Sequence, residues 1–175
     1  MVDMHLAAIL HDIRSVHNVG SIFRTADGAG FEKLYLCGIT PSPTDRFGKI
    51  RPDFGKVSLG AEKSVAWESV PDVRNLIKKL KKDGWIVLAL EQSERSISLT
   101  AKNLRPNLLR MVRPRPVALV VGNEVDGINQ QIVNESDTVI EIPQFGTKHS
   151  LNIAVSVGIV VWDFISKSAA FPLTN

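Results

Sequence analysis

Two stretches of this chain are apolar at every position. They are Ile86–Leu90 (IVLAL, with Trp85 before it) and Val117–Val121 (VALVV). A strand with one wet face alternates apolar and polar residues, whereas a strand covered on both faces has no reason to. These runs therefore demand a sheet sandwiched between helices, with crossover connections long enough to carry them. The rest of the chain supplies the parts. Ala7–Leu10, Lys33–Cys37 and Thr138–Ile142 read as further strands, and Val19–Ala29, Pro71–Lys82, Ile128–Asn134 and Leu151–Ser166 as helices. Alternation of this kind indicates an α/β fold with a mostly parallel sheet flanked by helices. With 175 residues, 44% of them hydrophobic and 22% charged, the chain reads as one folded domain over 1–175, with no internal repeat and no low-complexity segment.

Two stretches break the rhythm. Pro41–Lys63 is rich in Pro, Gly and charge and reads as a long functional or mobile loop. Arg105–Pro116 holds four arginines and three prolines and reads as a short helix with an irregular lead into the next strand. The single cysteine, Cys37, excludes an internal disulfide framework and points to a reducing, cytoplasmic setting. The opening MVDMHLAAILHD has the pattern of no signal peptide. The most apolar stretch, Leu151–Ile165, is broken by Asn152, Ser156 and Asp163 and is short for a membrane span. A net charge of +3 is compatible with a polyanionic partner without demanding one. The four histidines lack metal-ligand spacing, so no metal site is expected.

Three polar constellations punctuate the apolar pattern. In the first, Asn18 is placed to cap the helix that follows, and Val19, Ile22, Phe23, Ala26 and Ala29 form its buried face. Arg24 falls off that face, either as a solvated arginine or as a group aimed at an anion. In the second, the strand VALVV ends in GNEVDG. Glycine at the carboxyl end of a parallel strand lets a ligand approach the backbone, and this edge is where α/β sheets bind ligands. Glu124 and Asp126 are acids near it; the same residues also suit a plain turn. No GxxxxGK[ST] and no GxGxxG after a strand occurs, which argues against the common nucleotide-binding folds. In the third, IPQFGTKHSLN leads into the last helix, which Ser150 or Asn152 would cap. That helix, IAVSVGIVVWDFI, is apolar nearly all round, so either a central core position or a partner subunit must cover it.

Taken together, NVGSIFRTADGAG, VVGNEVDGI and IPQFGTKHSLNIAVSVGIV, in that order, resemble the three motifs of the SpoU-type (TrmH-like) branch of the SPOUT RNA methyltransferases. The resemblance runs over almost the whole chain. It implies a SPOUT fold whose C-terminal segment is threaded as a deep trefoil knot. It implies S-adenosylmethionine as cofactor, held by Leu90, Glu91, Gly122, Asn123, Glu124, Ile142 and Leu151. It implies a homodimer with sites shared between subunits, and methyl transfer to a ribose 2′-hydroxyl of transfer or ribosomal RNA. Asn18 and Arg24 match the polar pair of the first motif, Glu124 the acid of the second, and Ser150 and Asn152 the pair of the third. These five carry the expected catalytic roles, with Arg24 serving the partner's pocket. A non-catalytic RNA-binding dimer that keeps the fold is the alternative.

RNA contact needs cations and stacking surfaces. In the long loop, Arg46, Lys49, Arg51 and Lys56 offer the first, and Phe47 and Phe54 the second. Lys78, Lys79, Lys81, Lys82 and the cluster Arg105, Arg110, Arg113 and Arg115 are further candidates, and His17 and His149 flank matched motifs. Cys37, Trp67, Trp85 and Trp162 read as packing residues.

Overall fold

A computed structural model describes residues 5–101 and 115–167. Seven parallel strands form one sheet in the order β3-β2-β1-β6-β4-β7-β5. They are β1 (Leu6–His11), β2 (Lys33–Cys37), β3 (Ala66–Val70), β4 (Ile86–Leu90), β5 (Ile97–Ser98), β6 (Val117–Val121) and β7 (Thr138–Glu141). The two wholly apolar runs are β4 and β6, and they are neighbours at the centre, with Leu88 opposite Leu119. Side chains of these and the neighbouring strands point alternately to two cores. Ala8, Leu34, Leu88 and Leu119 enter one, and Ile9, Val87, Ala89 and Val120 the other. This is the physical content of an unbroken apolar run: both faces are dry.

Six helices cover the sheet among the described residues: α1 (Val16–Ala29), α2 (Pro52–Ser58), α3 (Ala61–Ser64), α4 (Val73–Lys82), α5 (Gln130–Glu135) and α6 (Ile153–Lys167). Those numbered α1, α2, α3 and α6 pack on the first face, and α4 and α5 on the second. Asp72 caps α4 by accepting from the Arg74 and Asn75 amides, and Lys79, Lys81 and Lys82 sit where the helix dipole favours cations. Lys81 is tied down, its Nζ 2.9 Å from both the Glu135 carbonyl and Asp137, while Lys78, Lys79 and Lys82 remain exposed.

The structure departs from the sequence expectations at definite places. The first helix begins at Val16, because Ser15 rather than Asn18 takes the N-cap and accepts from the Asn18 amide. The Pro41–Lys63 stretch is not a bare loop. It contains α2 and α3 and packs against α1. Phe54 is fully buried, edge-on to Phe23 with ring centroids 5.3 Å apart, so it is core and offers no stacking surface to RNA. Gly20 lets this packing happen, since a Cβ there would stand 3.0 Å from the Val57 side chain. β3 and β5 have no counterpart in the sequence reading. Of the arginine cluster, Arg105, Arg110 and Arg113 lie outside the described residues.

Candidate active site

The carboxyl ends of β4, β6 and β7 open into one pocket of about 560 Å³. A cavity of this size suits a small-molecule ligand or cofactor. Its lining includes Asn18, Leu90, Glu91, Gly122, Asn123, Glu124, Ile142, Ser150, Leu151 and Asn152. Residues separated by more than a hundred positions in the chain thus meet at one sheet edge. Arg24 is the exception among the expected catalytic and cofactor residues. Its side chain is exposed, does not line this pocket, and makes no hydrogen bond or ion pair among the described residues. The reason is helical geometry: six residues advance α1 by about 9 Å and turn it well away from the face that carries Asn18.

The loop after β6 is built by side-chain and backbone closure. Asn123 and Gly127 exchange backbone hydrogen bonds, each 3.0 Å, and Asn123 Oδ1 accepts from the Val125 and Asp126 amides. Asn123 Nδ2 donates to the Asp12 carbonyl at 2.8 Å, fastening this loop to the end of β1. A Cβ on Gly122 would overlap the backbone of Gly127 and Ile128, so the turn admits only glycine there. Glu91 clamps the far side, its two oxygens accepting from the Gln92 and Ile128 amides at 2.8 and 2.7 Å.

A hydrogen-bonded chain crosses the mouth of the pocket and joins all three motifs. The Glu124 carboxylate accepts from the Arg14 amide at 3.0 Å, the Ser15 amide at 3.1 Å and Asn18 Nδ2 at 2.9 Å. Asn18 Oδ1 in turn accepts from Asn152 Nδ2 at 3.0 Å. Asn152 caps α6 through its own Oδ1, which accepts from the Ala154 amide at 2.9 Å. Burial works against the charged form of Glu124, but the amides of Arg14 and Ser15 and the Asn18 side chain outweigh it and hold the carboxyl below its ordinary pKa. Glu124 therefore anchors, as an anion, the start of α1. Ser150 lies on the lip, exposed, and is not the helix cap.

Sequence reasoning missed Ser15, although a serine three residues before Asn18 is a readable cap signal. It also missed Gln92, whose amide reaches the His149 carbonyl at 2.7 Å and links the loop after β4 to the third motif. No local pattern signals that long-range contact. Elsewhere, Cys37 is buried, and burial, helped by Asp12, pushes its thiol up to about 12, which suits packing rather than nucleophilic chemistry. In the 41–63 segment, Arg51 is paired with Asp53 at 2.8 Å, Arg46 stacks 4.7 Å from the Phe47 ring centroid, and Lys49 and Lys56 are exposed. No helix among the described residues is long and apolar enough to cross a membrane.

A parallel α/β sheet with a ligand pocket at its carboxyl edge, closed by residues from both ends of the chain, defines a class that comparison with known proteins makes specific. Residues 5–162 match the SpoU rRNA Methylase family model, and the chain belongs to that family. It is 30% identical over 156 residues to the 23S rRNA (guanosine-2′-O-)-methyltransferase of Neisseria meningitidis, covering 89% of this chain and 56% of that protein. It is 28% identical to the tRNA (guanosine(18)-2′-O)-methyltransferase of Aquifex aeolicus, covering 90% and 67%. Among solved structures, the TrmH/SpoU tRNA modifying enzyme of A. aeolicus superposes with a TM-score of 0.74 at 27% identity, over 95% of this chain and 76% of that one. The AdoMet-bound rRNA methyltransferase of Sinorhizobium meliloti shares the fold, with a TM-score of 0.75 at 24% identity over 93% and 56%. The chain thus spans roughly half to two thirds of the length of these curated relatives.

Proposed function

We propose that this chain transfers the methyl group of S-adenosylmethionine to a ribose 2′-hydroxyl in tRNA or rRNA, as a cytoplasmic homodimer. One observation carries the reading. The chain Glu124–Asn18–Asn152 unites the three family motifs across the mouth of a single pocket. The names of the Neisseria and Aquifex relatives supply the reaction class.

The pocket suits the cofactor chemically. Leu90, Ile142 and Leu151 give apolar walls for a flat base, and carboxylates along the lining favour a cationic sulfonium. Bound there, the cofactor supplies an electrophilic methyl; the protein must align an attacking oxygen and manage one proton. Asn18, Ser150 and Asn152 hold the ribose. A guanidinium is a poor base, so Arg24 acts as a cation that orients O2′ and stabilises the developing alkoxide. The exposure of Arg24 away from its own pocket supports a role in the partner's. The dimer is supported by α6, which buries Val157, Val160, Val161 and Phe164 yet exposes Val155, Ile159 and Trp162 along one stripe. We place the cofactor in a trefoil knot formed as the chain after β7 passes the loop after β4. The Gln92–His149 contact supports this path. The unit formed by residues 1–175 acts as one domain in this scheme.

The test is transfer of labelled methyl from S-adenosylmethionine to tRNA and rRNA, followed by nucleotide mapping. The expected product is a 2′-O-methylated ribose. Cofactor binding by calorimetry without transfer to any RNA would overturn catalysis and leave an RNA-binding dimer.

A further inference from the structure

Phe145 is 92% exposed, the highest value among the large hydrophobic residues described. A ring left in water is ordinary on a surface. Its position here is not. It lies in the 142–152 segment, and Ile142 and Gln144 on one side and His149 and Ser150 on the other all line the pocket. Phe47, the other strongly exposed phenylalanine among the described residues, already carries the Arg46 guanidinium. Phe145 has no ring or cation partner among the described residues.

The electrostatics of this lip favour a polyanion. Positions 143–149 contain Lys148 and His149 and no acid, and both are exposed. Of the four carboxylates that line the pocket, three have internal partners, and the fourth, Asp126, is exposed with Arg14 3.7 Å away. Glu124 and Glu91 accept backbone amides, and Glu141 accepts from Ser96 at 2.7 Å. An exposed aromatic face in the same short segment as Lys148, next to a site proposed to act on a ribose, has the makings of a base-stacking platform.

We infer that Phe145 stacks on an unpaired base of the substrate RNA at or beside the target nucleotide, and so positions its ribose at the pocket mouth. This rests on the RNA methyltransferase reading. Phe145 acts in positioning and takes no part in the chemistry. A second protein surface is the rival occupant. The apolar stripe of α6 lies on a different element, and charge on the lip favours RNA.

The experiment uses a short single-stranded oligoribonucleotide carrying 2-aminopurine, whose fluorescence is quenched by stacking, alongside labelled-methyl transfer. Wild type and F145W should quench it. F145A should lose the quench and weaken RNA affinity and KM roughly tenfold, with kcat and S-adenosylmethionine affinity little changed. Equal quenching and affinity in F145A would overturn the inference. So would a shift of F145A toward monomer in analytical ultracentrifugation, which would make the ring a subunit contact. If wild type quenches the probe but methylates no RNA, the catalytic reading fails while the platform stands.

Discussion

At the scale of single residues, the site is held by groups whose partners fix both position and charge. Glu124 is the clearest. Its carboxyl is held below the ordinary pKa, so it favours the folded state at neutral pH, and that contribution fades as pH falls through the folded value. E124Q would turn an amide NH₂ toward donors that need an acceptor. We expect it to lower Tm at pH 7 by a few degrees, about 1 kcal/mol, since the group is partly solvated. The gap to wild type should close as pH falls past the ordinary glutamate range and through the lower folded value, where both side chains become neutral. A Tm difference that stays constant into acid would show that the charge is not the cause. G122A makes the complementary case on the backbone. Its Cβ would overlap Gly127 and Ile128, so the loop must open. The expected cost is about 1–3 kcal/mol, with loss of S-adenosylmethionine binding by calorimetry, while G28A, at an exposed position of α1, changes little. Much of this site was readable in advance at the level of residue type. Asn18, Glu124 and Asn152 stand out as polar groups at element ends. Which of them touch was not readable, because Glu124 and Asn18 are over a hundred positions apart.

At the scale of elements, legibility followed burial. β4 and β6 are wholly apolar because they are dry on both faces, and they are found at once. β3 (AWESV) escaped because it is an edge strand with three of its five residues exposed. β5 is only two residues long and carries no period at all. Helices α2 and α3 hide in a Pro- and Gly-rich stretch, where Pro52 starts a helix rather than breaking one. The last helix shows the opposite limit. Its apolar pattern is plain, but the sequence cannot say what covers it. In the chain alone, Val155 is 51% and Ile159 39% exposed. Replacing Ile159 by Lys leaves the buried side of α6 intact and places a charge in the stripe. We expect the variant to stay folded by circular dichroism, sediment as a monomer, and lose methyl transfer. A variant that remains dimeric and active would remove α6 from the interface.

At the scale of the whole molecule, the proposed sharing of sites between subunits turns on where Arg24 acts. A pocket at the carboxyl edge of β4, β6 and β7 takes its polar lip from both ends of the sequence, yet Arg24 projects elsewhere on α1. If Arg24 serves the neighbouring pocket, two inactive variants can repair each other. R24A keeps its pocket but offers no guanidinium, whereas N152A keeps the guanidinium and spoils its own lip. In a mixed dimer, the R24A protomer's pocket meets a wild-type Arg24, and the other pocket lacks both groups. Random exchange makes half of the dimers mixed, each with one intact site of two, so about a quarter of wild-type turnover should return. Each variant alone should be nearly inactive while R24A still binds S-adenosylmethionine. If Arg24 instead works within its own chain, both pockets of the mixed dimer are broken and mixing restores nothing. Subunit exchange must be verified by sedimentation of differently tagged chains, so that silence from the assay reads as geometry rather than as failure to mix.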